Sequence, residues 1–155
     1  MKRNLKYIGI VSVLIMIAIF SACKDEFEPY DHPFFHINVG NSSSVVVATD
    51  RNDQVDYKVF FSTKLQFEPV ELKYEVIIGD GLQSGRDFLL ITQGNTLNFA
   101  NGIFERPITI KWIAAPVDPT KNNTIIIRLL SNSKNYTIGL PGPDQLQKEL
   151  IITKK

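Results

Sequence analysis

The sequence predicts an all-β protein, an antiparallel β-sandwich that follows a short N-terminal region of a different kind. Several segments alternate strictly between apolar and polar residues, which is typical of half-buried strands. Turn-forming residues separate these segments every 8–12 residues or so, as in sandwiches, and no segment keeps a helical period. Because neighbouring parallel strands need a long crossover, usually a helix, the absence of helical patterns favours antiparallel pairing.

Three segments alternate most clearly, and each predicts one inward-facing apolar row. These rows are Val55, Tyr57, Val59 and Phe61; Leu72, Tyr74, Val76 and Ile78; and Ile108, Ile110 and Trp112. Seven further strands are predicted at residues 34–39, 44–49, 88–92, 96–99, 124–130, 136–139 and 148–153. Gly79-Asp80-Gly81, Gly94-Asn95 and Asn101-Gly102 lie between strands, where we expect them to supply the positive φ angles of tight turns.

Residues 1–22 have the organisation of a secretory signal peptide. Three cations precede an apolar run over residues 7–20, and the small residues Ser21 and Ala22 close it. The run is shorter than the roughly 20 apolar residues that a membrane-spanning helix needs.

Cys23 is the only cysteine of the chain, so no disulfide framework is available. Ser21-Ala22-Cys23 resembles the lipobox of bacterial lipoproteins, although Phe20 stands where that family prefers leucine. The resemblance implies that Cys23 is lipidated and becomes the first mature residue, and several acyl chains would anchor the protein stably in a membrane. The alternative is a signal-anchor helix with an incidental cysteine.

Lys24-Asp25-Glu26 follows the cysteine directly and resembles the surface-export signal of Bacteroidota-type lipoproteins. That resemblance implies an outer-membrane protein, lipid-anchored and facing the cell exterior. The alternative is a solvated tether without a sorting role. The predicted organisation is a signal peptide at 1–22, the lipidated cysteine with a tether at 23–33, and one sandwich domain at 34–155.

The mature chain carries no charge pattern for nucleic acid. Removing residues 1–22 leaves 133 residues with 14 basic and 16 acidic side chains. A nucleic-acid-binding domain would show a clustered basic excess. We therefore expect no nucleic-acid partner, and 133 residues are enough for one domain with a proper core.

Residue types that carry catalysis or bind metals are scarce. His32 and His36 are the only histidines, and Pro33 between them favours an extended segment in which they lie about 13 Å apart. No thiol or acidic partner completes a zinc site or a catalytic triad. We expect no enzyme activity, no catalytic residues, no metal ligands and no cofactor.

Aromatic and apolar residues are the remaining candidates for a binding surface. Trp112 is predicted to belong to the core, while Phe35 and Phe60 are better candidates for exposed rings on which a sugar could stack. Ile77 and Ile126 interrupt the polar side of their strands. They predict either a partner surface or a face that is covered by another part of the chain.

Residues 74–153 resemble the Calx-beta domain, an immunoglobulin-like sandwich, over about 80 residues. The landmarks are Gly85-Arg86-Asp87-Phe88 before a strand and Thr96-Leu97-Asn98-Phe99 as the next strand. Some members of that family bind calcium with acids after the long strand and after the last strand. This chain has residues 113–115 (Ile-Ala-Ala) and 153–155 (Thr-Lys-Lys) at those places. Because calcium needs six to eight oxygen ligands, we expect Asp87 to be a turn residue that caps backbone amides.

These observations together predict a non-enzymatic cell-surface lipoprotein with a binding or assembly role. Small lipoproteins of this kind resemble accessory components of nutrient-uptake complexes for glycans or peptides. The expected partners are an outer-membrane transporter and its substrate-binding lipoprotein, and also glycan, through a sandwich face or the loops near 79–87 and 115–123. The alternatives are a standalone structural or adhesive module and a degenerate calcium-binding domain; the sequence does not identify the ligand.

Overall fold

The computed structural model describes residues 32–64, 66 and 68–155. The predicted signal peptide, Cys23 and the export signal Lys24-Asp25-Glu26 lie outside the described residues. Within the described residues the chain forms ten strands and no helix. In chain order they are β1 (Phe34–Ile37), β2 (Ser44–Val47), β3 (Gln54–Ser62), β4 (Val70–Ile78), β5 (Phe88–Leu90), β6 (Thr96–Phe99), β7 (Glu105–Trp112), β8 (Thr124–Asn132), β9 (Thr137–Ile138) and β10 (Glu149–Lys154).

The strands form two five-stranded sheets, and the predicted two-layer β-sandwich is confirmed. The first sheet has the order β5-β7-β3-β1-β9, and the second has the order β2-β10-β8-β4-β6. Each sheet mixes strands from distant parts of the chain, so that the fold depends on long-range pairing. All ten predicted segments contain a strand, and β6 has the predicted limits.

Two edge pairings are parallel, which the prediction of a purely antiparallel sandwich did not include. β1 pairs with β9, and β2 pairs with β10, both in parallel, while the other pairs are antiparallel. The crossover argument holds for strands that are close in sequence. Here each parallel pair joins the beginning of the domain to its end, so the intervening strands serve as the crossover.

The alternating rows form the core between the sheets. Tyr57, Val59 and Phe61 of β3 are buried, as are Ile108, Ile110 and Trp112 of β7. The indole Nε1 of Trp112 donates a hydrogen bond to the Tyr57 hydroxyl at 3.0 Å, so the polar atoms of both large side chains are paired. Ile78 was predicted to lie inside but is 44% exposed. It is the last residue of β4, where the sandwich ends and the opposite sheet no longer covers an inward side chain.

Phe35 was predicted as an exposed ring, and this prediction is wrong. Its side chain is fully buried and stacks on Phe61, with ring centroids 4.3 Å apart. β1 contains Phe34-Phe35-His36, a run in which the sequence pattern does not show which residues face inward. Pairing of Phe35 with Phe61 sets that choice, because a shift of one residue would turn every side chain to the other face.

The strand directions define two ends of the sandwich. The loop pole, as we name it, consists of the β4–β5 connection (79–87), the β7–β8 connection (113–123) and the end of β10. The chain enters at the opposite end, where Phe34 pairs with Ser62 at the end of β3 and Pro33 accepts a hydrogen bond from the Thr137 amide at 3.3 Å. Nine residues of β3 separate the two ends, about 30 Å at the usual rise per residue.

Candidate functional site

The two loops in which binding was predicted, 79–87 and 115–123, lie side by side at the loop pole. The Gly81 amide donates to the Asn122 carbonyl at 2.9 Å, and the Asn122 amide donates to Asp80 Oδ1 at 3.0 Å. The Gly79 amide donates to the Thr124 carbonyl at 2.8 Å. These bonds join the loops into one continuous surface.

Glycine is required in the first loop because the second loop approaches its backbone closely. A Cβ atom at Gly81 would lie 2.0 Å from Asn123 Oδ1, and one at Gly79 would lie 2.2 Å from the Asn122 carbonyl oxygen. Neither glycine has the predicted positive φ angle, whereas Gly94 and Gly102 do. The prediction that this turn needs glycine is therefore correct, but the reason is the close contact with the second loop and not a positive φ angle.

Asp87 caps the turn that precedes β5, as predicted, and is fully buried. Its Oδ2 accepts a hydrogen bond from the Gln83 amide at 2.8 Å and another from Arg86 Nε at 2.9 Å. Arg86 also donates from Nη2 to the Gly81 carbonyl at 2.9 Å. The carboxylate therefore holds the 79–87 loop in shape by joining its middle to its end.

Lys154 is a fully buried lysine beside Asp87, although the strand predicted at 148–153 ends one residue before it. Its Nζ donates to the carbonyl of Ile113 at 2.8 Å and to the carbonyl of Asp87 at 3.3 Å. Asp87 Oδ1 lies 3.6 Å from the same Nζ and, within the described structure, has no hydrogen-bond partner. The sequence contains a signal for this burial, because Lys154 follows Leu150 and Ile152 at the same spacing of two residues and so falls on the inward face of β10.

Burial by itself raises the pKa of the Asp87 carboxyl. Hydrogen bonds from Arg86 and from the Gln83 amide, together with the positive charges of Arg86 and Lys154, outweigh burial and leave the pKa below its usual value. Asp87 is therefore ionised at neutral pH, and the buried pair with Lys154 is a pair of opposite charges.

Two cavities open at the loop pole. One, of about 520 Å³, lies between the two loops and carries two acids and two bases, Asp80, Arg86, Asp118 and Lys121. The other, of about 570 Å³, lies between the second loop and the end of β10, next to Thr49 and Lys154. The first cavity has balanced charge and offers hydrogen-bond donors and acceptors together, which suits a polar, uncharged ligand.

The outer face of the second sheet carries a row of three isoleucines. Ile126 pairs with Ile77 on one side and with Ile151 on the other, and Ile77 is 37% exposed. The next row is charged, since Arg128 donates to Glu75 at 3.0 Å and to Glu149 at 2.9 Å. We call Ile77, Ile126 and Ile151 the isoleucine row.

The outward apolar residues do not form a single patch, because Phe60 lies on the other sheet. There it stacks on His36, with ring centroids 5.3 Å apart, and the Phe34 ring is tilted against the same imidazole, also at 5.3 Å. Burial lowers the pKa of His36. His36 is thus part of a stacked aromatic group on the surface of the sheet.

Residues 32–64, 66 and 68–155 contain no group of three or more His, Cys, Asp or Glu side chains placed to hold a metal ion. The same residues include no helix that is long and apolar enough to span a membrane.

Comparison with known proteins identifies the fold. No protein-family model matches the sequence, and no curated protein matches it. Among solved structures, the crystal structure of CBD12 from CALX1.2 superposes with a TM-score of 0.57 at 16% sequence identity. The match covers 79% of this chain and 43% of that chain, so this chain spans less than half of the matched one. The domain is a Calx-beta-like β-sandwich of the immunoglobulin-like kind.

Proposed function

We propose that the protein is a lipid-anchored, surface-exposed lipoprotein that acts as a non-enzymatic binding or assembly module of an outer-membrane nutrient-uptake complex. The observation that carries the proposal is the run from Ser21 to Glu26, in which a lipobox-like site is followed at once by an export-signal-like triplet. The likeness to a solved sandwich supports the fold on which such a module would be built.

The position of the loop pole supports a binding role at a membrane. The chain enters the sandwich at the end opposite the loop pole, about 30 Å away along the strands. A tether of residues 23–33 would span at most about 35–40 Å when fully extended. Because a tether at this point joins the sandwich at the end opposite the loop pole, the attachment itself does not cover the loop pole, and a soluble ligand or a partner can reach it.

The two surfaces suit different contacts. The charge-balanced cavity at the loop pole provides donors and acceptors for glycan hydroxyls or a peptide backbone. The isoleucine row is an apolar strip beside the charged row of Arg128, which is the composition of a protein–protein contact. In the proposed complex, the loop pole contacts the nutrient and the isoleucine row contacts the transporter or its substrate-binding lipoprotein.

The test is extraction of outer membranes in a mild detergent, followed by identification of the proteins that co-purify. The affinity tag is best inserted after Gly142, whose surroundings are open, because Lys155 lies at the loop pole. We expect stoichiometric recovery of a transporter. Recovery of the lipoprotein alone would reject the uptake role and leave a standalone surface module.

Matched variants separate the parts of the proposal. Cys23→Ala removes the predicted lipid site and should release the protein from the membrane. Alanine at Lys24, Asp25 and Glu26 should keep the anchor but abolish cleavage by a protease added to intact cells. Ile77→Glu should weaken transporter recovery, while Lys121→Ala at the loop pole should leave it unchanged, with unaltered thermal melting as the control for folding.

A further inference from the structure

Three chain segments that are distant in sequence meet at the Lys154 ammonium. The side chain extends from the end of β10, and its Nζ donates to the Ile113 carbonyl just after β7 and to the Asp87 carbonyl just before β5. An ammonium has three donors, and the buried Asp87 Oδ1, which has no hydrogen-bond partner within the described structure, lies 3.6 Å from the same Nζ. The three polar atoms described within 3.6 Å of this charge are all oxygens of the protein.

Burial of a lysine without compensation is unfavourable, since the charge loses its hydration. Here a fully buried carboxylate and two carbonyl dipoles replace water. Removing the ammonium would leave Asp87 Oδ1 buried with neither a hydrogen-bond partner nor the Lys154 charge. The ion pair therefore stabilises the loop pole only when the ammonium, the carboxylate and the two carbonyl groups are all present.

We propose that Lys154 is the resident cation of the loop pole, holding the end of β7, the 79–87 loop and the end of β10 together as a bound metal ion would. Carboxylate and carbonyl oxygens converging on one point are the ligands that a hard cation such as Ca²⁺ takes. The ammonium already occupies that point, so the loop pole closes without a metal ion. This inference does not depend on the proposed function.

The first experiment is thermal melting of the full-length protein in detergent, comparing Lys154→Met with Lys155→Met. Methionine keeps much of the length of the lysine side chain but has no charge, and Lys155 is an exposed neighbour on the same strand end. We expect Lys154→Met to lower Tm by about 10–20 °C, since breaking a buried pair is strongly destabilising. We expect Lys155→Met to shift Tm by no more than about 2 °C.

A double-mutant cycle separates the charge from simple packing. Lys154→Met with Asp87→Asn removes both charges, and the combined loss in Tm should be clearly smaller than the sum of the two single losses. If Lys154→Met does not fold, recovery of a folded protein in the double variant gives the same result. Equal stability of Lys154→Met and the parent protein, or additive losses in the cycle, would overturn the proposal.

Calcium provides an independent measurement on the unaltered protein. Because the position is filled, we expect millimolar CaCl₂ and EDTA to leave Tm unchanged. A ligand that binds only the folded state must raise Tm. A rise of Tm with calcium that is lost in Asp87→Asn would show that a metal ion binds at this point, and it would overturn the assignment to Lys154.

Discussion

The two ends of the sandwich are closed by different interactions. At the end where the chain enters, Phe35 stacks on Phe61 at 4.3 Å, and Phe99 and Tyr136 pack against the pair at 5.1 and 5.7 Å. At the loop pole, Lys154 and Asp87 form a buried ion pair. Apolar contact is non-directional and gains with each ring buried, whereas a buried charge pair stabilises only when every partner is present.

The two ends should respond differently to small changes, the end where the chain enters through the apolar area that is lost, and the loop pole through the loss of individual charged or hydrogen-bonding atoms. We call Phe35, Phe61, Phe99 and Tyr136 the aromatic end. Its rings lose little when one contact shifts, because several neighbours share the burial. The loop pole depends on named atoms at fixed distances. The loss of unfolding free energy caused by a substitution should therefore depend differently on salt, pH and the replacing side chain at the two ends.

The largest loss of stability is expected at the aromatic end. Phe61→Ala removes a ring that contacts Phe35, Phe99 and Tyr136, and it should lower the free energy of unfolding by about 3–5 kcal/mol. Urea unfolding would measure this loss. Phe61→Leu should lose less, because leucine fills part of the space. The loss should be the same at low and high salt, and a strong dependence on salt would contradict an apolar origin.

The loop pole should depend on pH in a way that the aromatic end does not. The folded-state pKa of Asp87 lies below the ordinary value of 3.8. Its contribution to stability is then fully present above that value and is lost as the pH falls through the lower folded pKa. Urea unfolding of the parent protein and Asp87→Asn, from pH 7 downward, should show a difference that shrinks only in acid. A difference that is constant with pH would exclude this contribution from Asp87.

A smaller loss is expected where the two loops of the loop pole touch. Gly81→Ala places a Cβ 2.0 Å from Asn123 Oδ1 and should cost about 1–3 kcal/mol of unfolding free energy. Asn123→Ala is the matched background, since it removes the Oδ1 atom that the new Cβ would contact. We expect Gly81→Ala to cost clearly less in that background than in the parent protein. Equal losses in the two backgrounds would show that contact with Asn123 is not the cause.

The smallest loss of stability is expected for an exposed ion pair, which can be compared directly with the buried pair of Lys154 and Asp87. Arg128 bridges Glu75 and Glu149, and all three side chains are a third or more exposed. Arg128→Met should cost no more than about 1 kcal/mol, and 1 M salt should remove most of the difference. The loss in Lys154→Met should persist at the same salt concentration. A large, salt-independent loss in Arg128→Met would contradict this assignment.

Much of the fold follows from short-range patterns that can be recognised in the sequence. The period-2 alternation of residues 55–61 and 108–112 identifies strands and their inner faces, because successive side chains of a strand point to opposite sides. The turn at Asp87 is local too, since its carboxylate caps an amide only four residues away. The predicted signal peptide, lipidation site and export signal are likewise properties of consecutive residues and stay predictions.

Tertiary structure alone decided the features that depend on partners distant in the chain. Phe35 faces inward because β1 pairs with β3 in the observed register, and the parallel edges follow from the same long-range pairing. The sequence alone determined where strands form and that Asp87 caps its turn, through backbone geometry and near neighbours. The structure decided which oxygens surround the Lys154 ammonium, because a buried charge is stabilised by whatever the fold brings within a few ångströms.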